Sequence, residues 1–234
     1  MGSSPTSGTT MRINHPIKWT SDLAYAIGLI VTDGCLSSDG RHIIFTSQDL
    51  DLINTFRNIL DLSNKIGITS NNISRAYRVQ FGDVIFYKWL LDIGIFPNKS
   101  LRIGAIKVPN DFFMDFLRGH LDGDGSITTY TDNYNTYKDS HYIYERLWLR
   151  FISGSYAHLY WLHSKITGIT GIQGRLHLAK PNSVGNQLCI LKYGKKDSIL
   201  LLNKIYYRKD LPCLVRKRRI AEAFLVNHEL QIQH

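Results

Sequence analysis

Two kinds of apolar spacing alternate along the chain. In Tyr77-Arg78-Val79-Gln80-Phe81 the apolar residues fall at every second position, the signature of a half-buried strand that leaves Arg78 and Gln80 outside. Leu147, Leu149 and Phe151 repeat the pattern and put Arg146, Trp148 and Arg150 on the opposite face. The strand expected opposite places Thr128, Tyr130 and Asp132 on one face, and Arg175-Leu176-His177-Leu178 leaves Arg175 and His177 outside. Around Ile43-Ile44 the alternation fails, so His42 has no assignable face. Between these strands lie stretches with helical spacing, such as Leu50 to Phe56 and Ala157 to Leu162.

The order of elements repeats. Ala26-Ile27-Gly28-Leu29-Ile30-Val31-Thr32-Asp33-Gly34 has a counterpart in Leu117-Arg118-Gly119-His120-Leu121-Asp122-Gly123-Asp124-Gly125, at an offset of 91 residues. Downstream, Ile44-Phe45-Thr46-Ser47 aligns with Phe151-Ile152-Ser153-Gly154 at an offset of 107, which makes the first hairpin of the second copy 16 residues longer. Arg78 to Gly82 aligns with Ile190 to Gly194, so Arg78 and Gln80 match Ile190 and Lys192. Each copy reads helix, hairpin, helix, hairpin, helix. The expected fold is therefore α+β: a pseudo-symmetric pair of αββαββα units with two antiparallel sheets. Residues 1–18 read as a disordered tail or an expression remnant, 19–100 as the first unit, 101–110 as a linker and 111–234 as the second unit with a C-terminal helix.

Composition narrows the partner. The chain has 234 residues, 44% hydrophobic and 12% aromatic, which suits a real core and not disorder. Its formal charge of +9 favours a polyanion. No run of about 18 apolar residues suggests a membrane span. The three cysteines, Cys35, Cys189 and Cys213, have no metal-ligand spacing and point weakly to a reducing compartment. No targeting peptide is visible, which leaves the cytoplasm in a prokaryote or an organelle in a eukaryote.

The repeated segments place chemistry. Both read as helices, the first capped by Ser21 and the second preceded by Pro109 and Asn110. Both are expected to end at the glycine after the second-to-last residue of the repeat, in the left-handed conformation glycine tolerates. Asp33 and Asp124 then sit at helix C-termini, against the negative end of the dipole. A repeated unfavourable carboxylate calls for a cation, and oxygen ligands suit Mg²⁺. Small residues spaced by four, Ala24, Gly28 and Thr32 in one helix and Gly119 and Gly123 in the other, would let the two helices pack closely and bring the carboxylates together.

At these residues the sequence resembles the LAGLIDADG homing endonucleases, in the single-chain form with two motifs. The resemblance covers about residues 21 to 224. It implies a saddle of two four-stranded sheets over the major groove of double-stranded DNA, and cleavage of both strands leaving 3′ overhangs. It implies metal ligation by Asp33 with the Thr32 carbonyl and by Asp124 with the Gly123 carbonyl, with Mg²⁺ or Mn²⁺ active and Ca²⁺ a non-cleaving substitute. It gives a catalytic part to Gln48 at the end of the second strand and to Lys99. In the second unit the polar position falls on Gly154-Ser155, a weaker match, and the cation within Arg216-Lys217, with Lys217 preferred. Val31 replaces the acid usual at the sixth motif position.

Arg and Gln on outward strand faces suit bidentate reading of guanine and adenine edges. Arg78, Gln80, Thr128, Tyr130, Asp132, Arg146, Trp148, Arg150, Arg175, His177 and Lys192 are the candidate DNA contacts. The expected activity is a metal-dependent, site-specific DNA endonuclease acting as a monomer without an obligate protein partner. The alternative on the same scaffold is a non-cleaving splicing maturase or DNA-binding regulator.

Overall fold

A computed structural model describes residues 17–232 except 71–74, 135–142, 182, 184 and 186, so most of the expected tail lies outside the described residues. The first copy runs α1 (Ser21–Asp33), β1 (Gly34–Leu36), β2 (His42–Ser47), α2 (Leu50–Ile59), β3 (Gly67–Ser70), β4 (Arg75–Gly82) and α3 (Val84–Ile93). The second runs α4 (Phe113–Asp122), β5 (Ser126–Asp132), β6 (Tyr144–Ser153), α5 (Tyr156–Thr170), β7 (Arg175–Leu178), β8 (Cys189–Tyr193) and α6 (Lys195–Ile205), followed by α7 (Val215–Ile232). The two four-stranded antiparallel sheets have matching orders, β1-β2-β4-β3 and β5-β6-β8-β7. This is the pseudo-symmetric α+β fold the repeat predicts.

The inner face of each sheet carries its alternating apolar residues. Ile43, Phe45 and Val79 are buried in one, and Leu147, Leu149, Phe151 and Leu191 in the other. Aromatic stacking, Phe45 on Phe56 at 4.4 Å between centroids, ties the first sheet to its helix. The burial of Ile43 and Phe45 also sets the face of His42, which lies outward with Ile44.

Pairing corrects one register. Cys35 lies opposite Ile44 and Ser126 opposite Arg150, so Ile44 corresponds to Arg150, an offset of 106 rather than 107. The long hairpin is thus 15 residues longer. Helix starts agree: the Ser47 hydroxyl accepts the Asp49 N–H before α2, and the Ser153 hydroxyl accepts the Ser155 N–H before α5, both at 3.1 Å. The counterpart of Gln48 is therefore Gly154, with no side chain to match it. The slip arose because Ile44 outside and Ile152 outside are both apolar, so periodicity alone could not anchor the alignment.

The central feature is the contact of α1 with α4. A Cβ on Gly28 would strike the Phe116 carbonyl oxygen and approach the His120 nitrogen to 2.7 Å. One on Gly119 would strike the Tyr25 carbonyl. Backbone lies against backbone, which only glycine at these places permits. Caps differ from expectation. Thr20, not Ser21, caps α1, its hydroxyl accepting the Leu23 N–H at 3.1 Å. A 3-10 turn, Asn110–Phe112, precedes α4. Helix α4 stops at Asp122, so Asp124 lies just past it. Gly34 is extended (φ −85°), not left-handed. Gly34 and Gly125 are glycine for another reason: a Cβ would press on the Cα of Ile30 or of Leu121 at 2.7 Å, where the chain folds back over the last helical turn.

Candidate active site where the two motif helices meet

Because α1 and α4 touch backbone to backbone, their C-terminal ends emerge together. A Cβ on Gly123 would lie 2.7 Å from Asp33 Oδ2, so the end of one motif rests on the carboxylate of the other. Asp33 is half-buried, and Asp124 reaches solvent. Desolvation pushes the Asp33 carboxyl up to about 6, and the negative charge of Asp124 pushes the same way. Partial desolvation also raises Asp124, against the pull of Lys217 and Lys99. The Thr32 hydroxyl donates to the Leu29 carbonyl at 3.0 Å, with Asp33 Oδ2 3.3 Å away.

Two lysines close the site with the same symmetry. Lys99, buried in the turn after α3, donates to the Gly34 carbonyl. Lys217, buried in the first turn of α7, donates to the carbonyl of Gly125, the counterpart glycine, at 2.7 Å. Its ammonium also meets the carbonyls of Leu121 at 2.7 Å, Asp122 at 2.8 Å and Gly123 at 3.1 Å, capping the end of α4. Burial lowers the Lys99 ammonium and brings Lys217 down to about 8. Of Arg216-Lys217, only Lys217 enters the site. Arg216 turns to the other unit and grips Asp49 through Nη2 at 3.1 Å, beside exposed Gln48.

No family model and no curated protein sequence matches this chain. Solved structures do. The meganuclease I-SmaMI bound to uncleavable DNA superposes with a TM-score of 0.56 at 13% identity, over 89% of this chain and 90% of its own. The LAGLIDADG homing endonuclease I-LtrWI bound to target DNA gives 0.54 at 12% identity, over 89% and 87%. Full-length DUF199/WhiA from Thermatoga maritima gives 0.52 at 17% identity, over 94% and 68%. The fold is that of the LAGLIDADG homing endonucleases. In this chain Asp33 stands directly before β1 and Asp124 two residues before β5, each at the start of the first strand of its sheet.

The outward sheet faces fall as alternation predicts. On β4, Arg78 and Gln80 stand opposite Thr46 and Ile44, away from the core. In the second sheet Thr128 pairs with Trp148, Tyr130 with Arg146 and Asp132 with Tyr144. Arg150 pairs with Lys192, Lys192 with Arg175, and His177 with Ile190. Arg146 is held by Asp132 at 2.9 Å, and Lys192 Nζ sits 3.4 Å over the Trp148 ring.

Several residues that build the site were not among the expected site residues, although Asp122 stands at the sixth motif position, where the first motif has Val31. Asp122 is fully buried; its Oδ2 accepts the Tyr25 hydroxyl at 2.8 Å and the Leu214 N–H at 2.7 Å, fixing the start of α7 three residues before Lys217. Burial pushes its carboxyl up to about 6. Arg118, also buried, pairs with Asp115 at 2.7 Å and donates to the carbonyls of Pro212 at 2.8 Å and Ile205 at 3.1 Å, holding the α6–α7 connection. Apart from the motif position of Asp122, their sequence signal is a charged residue on the apolar face of a motif helix. A histidine pair, His120 and His158, stacks at 3.1 Å between Nε2 atoms, beside a cavity of about 60 Å³ that Asp124 and Thr32 also line.

Proposed function

We propose that this protein is a site-specific DNA endonuclease that cuts both strands of a long duplex target and needs a divalent metal to do so. The observation that carries the reading is the paired arrangement at the helix ends: one acid and one buried lysine from each half, with each lysine on the equivalent glycine carbonyl. A turn repeated for structural reasons alone would not require a carboxylate held above its ordinary range by burial and, in the same direction, by the charge of its twin.

The donor set fits a hard cation. Two carboxylates and nearby backbone carbonyls are all oxygen, as Mg²⁺, Mn²⁺ or Ca²⁺ prefers. Among the described residues no cluster of three or more His, Cys, Asp or Glu could hold a metal, so the site would be a two-carboxylate one completed by carbonyls, water and phosphate. I-DmoI has been solved in complex with DNA and Mn and with DNA and Ca. Asp33 and Asp124 would hold the ion, with the Thr32 and Gly123 carbonyls at their sides. When bound, such an ion supplies a polarised phosphate and an activated water.

The chain's own groups do the rest. Lys99 and Lys217 place positive charge beside the carboxylates, where charge develops on the transferring phosphate. Gln48, exposed just past the end of β2, would orient water in the first half, and Gly154 leaves the second half without an equivalent side chain. Outward sheet residues such as Arg78 and Gln80 would read base edges, and the +9 charge would draw in the backbone. A non-cleaving regulator or maturase on the same scaffold would be favoured by loss of either acid, and both are present. Site selection from a random duplex library, with and without Mg²⁺, tests the reading. A cut consensus appearing only with the metal is expected; binding enrichment without any metal-dependent cut would overturn it.

A further inference from the structure

The outward face of the second sheet carries three cations in one line. Arg150 on β6 lies directly across from Lys192 on β8, and Lys192 directly across from Arg175 on β7. Adjacent strands lie about 4.8 Å apart, so the line spans about 10 Å. Like charges set opposite one another destabilise a sheet. Among the described residues no carboxylate pairs with any of the three, whereas Arg146 on the same face is matched by Asp132 at 2.9 Å. The middle cation is pinned in place: Lys192 Nζ rests 3.4 Å over the Trp148 ring. The line also has a defined origin. Its fourth member, on β5, is Ser126, two residues after Asp124, so the cations run outward from the catalytic end of the sheet.

The first sheet has no such line. Its equivalent positions are Cys35, Ile44 and Gln80, all uncharged, with Lys65 ahead of β3 and outside its pairing. The contrast cannot come from the shared architecture. It is a property of the second unit alone.

Resting on the reading of this chain as a duplex-DNA enzyme, we infer that Arg150, Lys192 and Arg175 form a phosphate rail. It grips the DNA backbone next to the cleavage centre on the second half-site, whatever the base sequence there. The reasoning is charge complementarity. B-DNA offers about six phosphate charges per 10 Å of axis, counting both strands, and a fixed row of unpaired cations matches it. The first half-site, lacking a rail, depends on Arg78 and Gln80 and hence on sequence.

The test is a salt titration of binding in EDTA, on the selected target and on a random-sequence duplex of equal length. Comparing wild type with R150Q/K192Q/R175Q should show the log–log salt slope fall by roughly 2 to 3, at about 0.9 per phosphate contact. The loss in affinity should be the same fold on both duplexes. R175Q alone, at an exposed strand position, should lower the slope by about 1 and guards against misfolding of the triple variant. R78Q should weaken only the target. An unchanged slope in the triple variant and in R175Q, or a loss confined to the target, would overturn the rail and leave the nuclease reading intact. Failure of wild type to bind either duplex would instead overturn the nuclease reading.

Discussion

Asp122 shows how one side chain can set the position of another it never touches. Its carboxylate holds the Tyr25 hydroxyl and the Leu214 N–H, and α7 delivers Lys217 from there. Asp122→Ala would leave two buried donors without an acceptor, each worth about 1–3 kcal/mol. Urea unfolding should show a loss of about 2–6 kcal/mol; a change under 0.5 kcal/mol, on the order of a neutral surface substitution, would contradict the role. Asp33 obeys a different logic. Its carboxyl is raised from 3.8 to about 6, so the folded protein binds that proton more tightly than the unfolded chain. The resulting stability is full below about pH 4 and is lost as pH rises through about 6. Metal-free Asp33→Asn should therefore melt above wild type at pH 7.5, with the gap closing near pH 4, and added Mg²⁺ should raise only the wild-type melting temperature. A metal-free variant melting below wild type at pH 7.5 would contradict the assignment.

The helices α1 and α4 are the element on which the site depends. Gly28→Ala places a methyl against the Phe116 carbonyl and the His120 nitrogen, neither of which can move without moving α4. Overpacking of side chains costs about 1–3 kcal/mol, and backbone resistance puts this substitution at or above the upper end. The expected result is a large drop in melting temperature, together with loss of cleavage in any folded fraction, because the two acids separate. Gly168→Ala, in open space on α5, should do neither. The close contact was legible in the sequence from small residues spaced by four, and so were both sheets from their alternation. The helix ends were less so. Gly34 and Gly125 mark the chain folding back on Ile30 and Leu121, a contact that propensity cannot distinguish from a left-handed cap. The one-residue slip at Ile44 had the same cause, since outward apolar residues carry no phase. Lys217 could not be separated from Arg216 until the course of α7 was known.

At the scale of the whole molecule, the two halves share a frame and differ in what they present. Gln80 is matched by Lys192, Ile44 by Arg150 and Gln48 by Gly154. Unlike surfaces make unlike contacts with the two half-sites, so the target should be asymmetric and about two helical turns long, bound by one chain. A palindromic consensus, or two chains per duplex by mass, would contradict this. The central claim is that Asp33 and Asp124, one from each half, together make a single centre for cutting both strands. The most direct measurement is cleavage of the selected duplex with Mg²⁺ by Asp33→Asn and Asp124→Asn separately, with binding measured in parallel. Losing several kcal/mol of transition-state stabilisation corresponds to a fall of about 10³-fold or more. Each variant should lose double-strand cleavage to that extent while binding stays within about threefold of wild type, a difference under 1 kcal/mol. Cutting of both strands at the wild-type rate by either variant would contradict the claim.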